Sequence, residues 1–303
     1  MTMPLRIAGS RLALAAVAAA AGLAYAAIAP AERALTGASA LQAKHAELQP
    51  ALERNGFGRP IHLNSREGDH VLNGDIHAVV AHPFARVSEA LHRASDWCDI
   101  LIMPYNTKLC VTSPKGDALT IRVGRKNDVE PEDAYRLDFS YRVVARSADY
   151  LRLELKAPEG PLGTRDYVIT LEAAPIDGQR SFIHLSYSYA YGTVSRLAMQ
   201  AYLATMGRNK VGFTEVDRDG RRELVRGMRG IMERNTMRYY LAIESYLDSL
   251  AAPKGQQVDK RLTDWYVAQA QYPRQLKEME RGEYMAMKQR EIRRMHALLA
   301  RAG

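Results

Sequence analysis

The side chains best suited to hold a ligand are amphipathic aromatics. Tyr141, Tyr167, Tyr187 and Tyr189 fall on the apolar side of alternating segments, Tyr239 falls on an apolar stripe at helical spacing, and Trp97 follows a short helical pattern. A tyrosine offers an apolar ring and a hydroxyl that needs a partner once buried, so a set of them suits a mostly apolar ligand with one or two polar groups. The same rings can fill a solid core, because alternation gives the side of a strand and not its depth. Met228 and Met232, on the same stripe as Tyr239, add adaptable thioether packing. Asn235 brings to that stripe an amide that must be hydrogen-bonded, either to a ligand's polar head or to a neighbouring strand or water.

Reactive constellations are scarce. His62, His70, His77, His82, His92 and His184 are scattered, without the paired helical spacing of a zinc hydrolase, and His184 reads as a solvated residue on a polar strand face. Ser186 and Ser195 lack a glycine-flanked elbow, and Gly227 and Gly230 do not form a phosphate loop. Arg165 and Asp166 are adjacent on a strand, so their side chains should point to opposite faces and make unrelated surface contacts. No catalytic residue, metal ligand or cofactor is assigned. Cys98 and Cys110 are expected to form a disulfide if the chain enters an oxidising compartment, contributing on the order of 3 kcal/mol by loop closure; two buried thiols are the other reading.

The compartment is signalled at the N-terminus. Arg6 and Arg11 precede an uncharged, alanine-rich run over 12–29, the order of a secretory signal. Residues 1–31 are thus read as a signal peptide with small-x-small cleavage sites ending at Ala26 or Ala31, or as a retained anchor of just sufficient length. A periplasmic or otherwise exported protein follows, held at the inner membrane if the segment is not cleaved. Export and the even spread of basic residues, formal charge +8, argue against a nucleic-acid partner. The 303 residues and 47% hydrophobic content fit a globular chain of one large domain or two smaller ones.

The elements that must position the aromatics follow from periodicity. Residues 32–73 read as a linker or packed arm with a short helix over 38–53, and ordered structure is expected from about Gly74, where Ile76, Ala78 and Val80 alternate as a strand. Helical spacing over 82–101 comes next, with Pro83 at its start. About six segments then alternate apolar and charged residues, ending in 183–191, and turn signals separate them. Strands of this kind form an antiparallel sheet that is wet on one face and covered on the other. The expected cover is an amphipathic helix over 225–250, with a shorter helix at 193–207 and a hairpin near 211–224 before it. Residues 251–303 read as a helical extension whose last, basic helix packs back on the domain or lies on an anionic membrane surface.

This order, over 74–250, resembles the helix-grip fold of the START and Bet v 1-like (SRPBCC) superfamily. The residues that carry the resemblance are Val79, Val80, Ala81, His82, Pro83 and Phe84, where a strand enters a helix through a proline turn, and the segment 87–97 after them. The inserted helix and hairpin before the long helix, and the helical tail, depart from the family's simple pattern, and the insertion leaves open whether the helix at 193–207 or that at 225–250 covers the sheet. The fold class is therefore expected to be α+β, a curved antiparallel sheet of about six or seven strands gripped by a long helix. The resemblance implies a hydrophobic ligand between sheet and helix. The expected function is binding, with or without transfer, of a lipid or other hydrophobic small molecule in the bacterial envelope. The alternatives are an enzyme of the same fold, a cyclase, hydratase or hydrolase working by acid-base chemistry, and a ligand-free interaction protein.

Overall fold

The computed structural model describes residues 36–126, 129–205 and 208–302. The expected signal or anchor over 1–31 lies outside the described residues, as do Met206 and Gly207 at the end of the expected shorter helix.

An open antiparallel sheet of eight strands organises the chain. Its spatial order is β1 (Ile61–Glu67), β2 (Val71–Val80), β8 (Ser181–Tyr191), β7 (Thr164–Pro175), β6 (Leu151–Glu159), β5 (Tyr135–Arg146), β4 (Ala118–Val123) and β3 (Thr107–Thr112). The expected six or seven strands become eight because β1 pairs with β2 along its full length, Ile61 facing Ala78 and Glu67 facing Leu72. Only Ile61, Leu63 and Ser65 of β1 turn into the core, too few apolar residues to announce a strand. The segment 32–73 thus carries both the expected helix, α1 (Ala38–Glu53), and an edge strand.

The two faces of the sheet differ as the alternation requires. On the inner face Leu119, Leu137, Leu153, Ile169 and Leu185 are buried; on the outer face Arg142 pairs with Glu154 and Thr120 with Asp138. α1 covers part of that outer face, where its Leu41 and Leu52 meet Ala174 and Phe182.

α5 (Gly227–Ser249) is the cover of the inner face, packing on β1, β2 and β8. Gly74 makes the close approach possible: a Cβ there would overlap the Thr236 hydroxyl and crowd Met232. The expected single apolar stripe is corrected to a helix buried on both sides. Met232 and Ile243 are buried, but so are Tyr240, Leu241 and Leu247. The reason lies in α6 (Gln257–Ala270), which packs on α5; its Trp265 indole donates to the Arg238 carbonyl at 3.1 Å.

The remaining helices close the ends. α2 (Phe84–Leu91) and α3 (Ala94–Leu101) follow β2, and the Cys98–Cys110 disulfide ties α3 to β3 with Cα atoms 5.2 Å apart. α4 (Thr193–Ala204) lies at the surface with Val194 and Leu197 exposed and contacts α5, so it is not the helix that grips the sheet. The hairpin of β9 (Glu215–Arg218) and β10 (Arg221–Leu224) is present. Buried Glu233 fixes the chain leading into it, accepting from Ser65 Oγ at 2.6 Å and from the backbone N–H groups of Phe213 and Thr214.

The last helix, α7 (Arg281–Ala302), docks on β3. Glu291 there is wholly buried between two equally buried lysines, with Lys108 Nζ at 2.9 Å and Lys288 Nζ at 2.7 Å. Each lysine also donates to a carbonyl, Tyr105 and Thr107 respectively, so every charge is hydrogen-bonded. Among the described residues no helix is long and apolar enough to cross a membrane.

Candidate functional site

A cavity of about 160 Å³ lies between the inner face of the sheet and the helices. Ile121, Leu137, Phe139 and Ile169 form its apolar wall, while Tyr167, Tyr187, Tyr189 and Tyr239 form an aromatic one. Partly exposed Asn106, Val123, Pro161, Met199, Asn235 and Tyr239 make the rim.

Strand alternation gathers the tyrosines. Tyr187 and Tyr189 are two residues apart on β8 and share its inner face, and Tyr167 enters from β7 next to them. Tyr167 stacks on Tyr189 with ring centres 5.2 Å apart, and Tyr239 of α5 meets Tyr187 edge-on, also at 5.2 Å. The Tyr167 hydroxyl donates to Thr164 Oγ1 at 2.7 Å. Burial raises the pKa of all four phenols, that of Tyr239 to about 12. They therefore hold their protons near neutral pH and act as hydrogen-bond donors rather than bases. No residue lining the cavity is a carboxylate, histidine or cysteine among those described.

The expected site residues divide into two groups. Tyr167, Tyr187, Tyr189, Asn235 and Tyr239 come together at the cavity. Trp97, Tyr141, Met228 and Met232 do not line it. Trp97 and Tyr141 are turned toward the end of α2, where both donate to the Leu91 carbonyl. Met228 and Met232 lie nearer the start of α5, Met232 against Gly74 of β2. Sequence reasoning missed Phe139, Ile169 and Met199, apolar residues on the expected elements that nothing in the pattern separates from ordinary core.

The outer face holds a second cluster of titratable groups. His184 is not solvated as expected: its Nε2 meets Asp75 at 3.0 Å, its Nδ1 meets Glu172 at 3.1 Å, and its ring stacks on His77 at 4.1 Å. Cross-strand register brings these four residues together, with His77 opposite His184 and Glu172 opposite His184 on the other side. Burial opposes a charge on His184, but the hydrogen bonds and charges of Asp75 and Glu172 outweigh it and raise its pKa to about 9. The hydrogen bond from His184 leads the causes that lower Glu172 to about 2. His77, desolvated and beside the charged ring, falls to about 3. Among the described residues no group of histidine, cysteine or acidic side chains has a metal-holding arrangement. Arg165 and Asp166 also depart from expectation: a bulge between Arg165 and Val168 puts them into one exposed ion pair at 3.4 Å.

A recess of about 320 Å³ between α1 and the outer face is larger than the inner cavity. Its lining includes exposed Gln49, Glu53, Pro60, Ala81 and Arg180, so most of its wall faces solvent. The inner cavity is the better candidate, being walled by buried apolar side chains and four tyrosine rings.

No family model matches the chain, and no curated protein matches it. Solved structures do resemble it in part. A protein from Thermus thermophilus is 14% identical, with a TM-score of 0.38 over 59% of this chain and 99% of that one. A conserved protein from Geobacillus kaustophilus is 12% identical, with a TM-score of 0.35 over 58% of this chain and 95% of that one. Norcoclaurine synthase from Thalictrum flavum, in complex with dopamine and hydroxybenzaldehyde, is 15% identical, with a TM-score of 0.31 over 47% of this chain and 90% of that one. Norcoclaurine synthase has the Bet v 1-like fold, and an open antiparallel sheet covered by a long helix is consistent with a helix grip. The likeness is weak and decides nothing about activity.

Proposed function

We propose that this protein binds a small, largely apolar molecule between its sheet and α5, and does so outside the cytoplasm. The observation that carries the reading is the cavity of about 160 Å³ lined on one side by Tyr167, Tyr187, Tyr189 and Tyr239. An apolar cavity of about 150 Å³ holds a molecule the size of benzene. The expected lipid is thereby narrowed to one aromatic ring or a short apolar chain, since whole drug-sized ligands occupy roughly 300–1,000 Å³. Phenols that keep their protons favour holding a polar group over abstracting a proton from it. Export is supported by the order of charges and apolar residues over 1–31, and by a disulfide of the kind that persists in oxidising compartments.

The test is retention without conversion. The exported protein is purified and its bound small molecules are recovered by native mass spectrometry; single-ring and short-chain compounds are then titrated by calorimetry. Binding of ring-sized compounds, recovered unchanged, is expected. Turnover of the bound compound would overturn the binding reading, and so would a failure of every compound of this size to bind.

A further inference from the structure

The disulfide has a recess of its own. Cys98 and Cys110 both line a space of about 160 Å³ beside the last turns of α7, together with buried Met295. Ser95, His296 and Leu299 of the same lining are exposed, so part of the wall faces solvent. A volume of this size admits a molecule as large as benzene, and hence a small thiol. Asp96 and Asp99 line the recess too, but each is paired, Asp96 with Arg93 at 3.1 Å and Asp99 with Arg261 at 2.7 Å, so neither meets an incoming thiolate as a lone charge. Disulfides within reach of a thiol are the exchangeable ones, whereas those sealed in a core resist reduction.

The same bridge joins two walls of the inner cavity. Cys98 stands one turn before Leu101 on α3, and Cys110 follows Asn106 and Thr107 along β3; Leu101, Asn106 and Thr107 all line the cavity. β3 is the last strand of the sheet, bonded to β4 alone, and its register shifts between Thr107 and Leu109, next to those lining residues. α3 has anchors of its own: the Tyr246 hydroxyl of α5 donates to Asp96 at 3.0 Å, and Arg261 of α6 pairs with Asp99. β3 keeps its pairing with β4 and its packing against α7. Cleavage of the disulfide therefore leaves both elements in the fold and removes the covalent tie that sets their spacing at the cavity.

We propose that the Cys98–Cys110 disulfide is a modification site: a small thiol enters the recess and exchanges with it, and the reduced protein holds its ligand less tightly. A thiolate attacks one cystine sulfur, the S–S bond breaks, and the other cysteine leaves as a thiolate that takes up a proton from water. A second thiol then attacks the small molecule's sulfur in the mixed disulfide, which frees the remaining cysteine and forms the small molecule's own disulfide. Two small thiols are oxidised and one cystine is reduced. The exchange stands on the recess alone; its effect on the ligand rests on the binding reading above.

The oxidised, folded protein is treated with excess 2-mercaptoethanol at about pH 8, where the reagent is partly thiolate, and free cysteines are trapped with N-ethylmaleimide and counted by intact mass. Both cysteines are expected to be released without denaturant, at a rate that low urea does not change. Leu299→Trp, which fills the exposed side of the recess, should slow release about tenfold in the folded protein and leave it unchanged once the chain is unfolded in urea. Ser95→Phe repeats the block from α3. Release only at urea concentrations that unfold the protein overturns the exchange site, and so does an unchanged rate in both variants. Benzyl alcohol is then titrated by calorimetry into the oxidised protein, the reduced protein and the variant Cys98→Ser with Cys110→Ser. The oxidised protein should bind it severalfold more tightly than the other two. Equal affinity in all three overturns the coupling and leaves the exchange site standing. If no single-ring compound binds any of them, the cavity reading falls and the coupling with it, while the cysteine count still decides the exchange.

Discussion

Trp97 and Tyr141 share one acceptor: the indole N–H and the phenol hydroxyl both donate to the Leu91 carbonyl oxygen, at 3.0 and 3.1 Å. Leu91 ends α2, and the last carbonyls of a helix have no partner within it. The two aromatic residues therefore act as a tertiary cap that fixes α2 against α3 and β5. Tyr141→Phe removes one of the two donors and should lower unfolding stability by about 1 kcal/mol. Ligand affinity should stay unchanged, because neither ring lines the cavity. Urea denaturation and calorimetry on the same variant check both halves; an affinity loss would mean that the cavity continues along β5 past Phe139 to Tyr141.

Gly74 and Thr236 set the distance between β2 and α5, since a Cβ on Gly74 would overlap the Thr236 hydroxyl. Gly74→Ala should cost about 1–3 kcal/mol by overpacking. Removing the obstructing atom should restore part of that loss, so the double variant Gly74→Ala with Thr236→Ala is expected to be more stable than the sum of the single effects predicts. Strict additivity in a double-mutant cycle would show that the strand and helix can separate without strain.

These contacts mark how far periodicity could be followed. The strands over 118–191 and the covering helix were legible because each alternates or repeats over many residues, so the pattern outweighs local exceptions. β1 was not, since its polar Asn64 and Arg66 alternate with only two apolar residues before Ser65. Lys108 shows a second blind spot. A lysine on an alternating strand reads as solvated, yet α3 and α7 both pack on β3, and Lys108 is buried with Glu291, far along the chain, as its counter-charge. The cavity was legible as a face and not as a place. Tyr141 and Tyr187 both point inward, but only tertiary packing sends the first to the Leu91 carbonyl and the second to Tyr239. The pairing of His184 with two acids likewise needed the order of strands, because Asp75 and Glu172 come from opposite neighbours of β8.

Glu291 joins Lys108 and Lys288 through one carboxylate, and all three are buried. Glu291→Gln leaves both ammonium groups without a counter-charge and should destabilise the protein by about 3–5 kcal/mol. Replacing the whole triad behaves differently: Lys108→Met, Lys288→Met and Glu291→Leu together should be neutral or stabilising, since no charge then remains to be desolvated. Thermal denaturation of the two variants separates these outcomes. A triple variant as unstable as Glu291→Gln would show that the triad positions α7 in a way apolar packing cannot.

His184 makes stability depend on pH with a definite sign. Its pKa in the folded chain, about 9, lies above the ordinary 6.5, so folding favours the protonated ring. That contribution is complete below about pH 6.5 and is lost as pH rises toward 9. Glu172, lowered to about 2, works the other way: its contribution is present above the ordinary carboxylate range and is lost as the solution is acidified toward that value. Lys288, lowered by burial to about 8, opposes the His184 trend above that pH, so the unaltered protein shows a sum of effects. Comparison with His184→Gln isolates the histidine, because Lys288 contributes to both proteins. The stability difference between the two should shrink by about 1–3 kcal/mol from pH 6.5 to pH 9, measured by urea denaturation at fixed ionic strength. A difference that stays constant over this range would mean that His184 is not charged between Asp75 and Glu172.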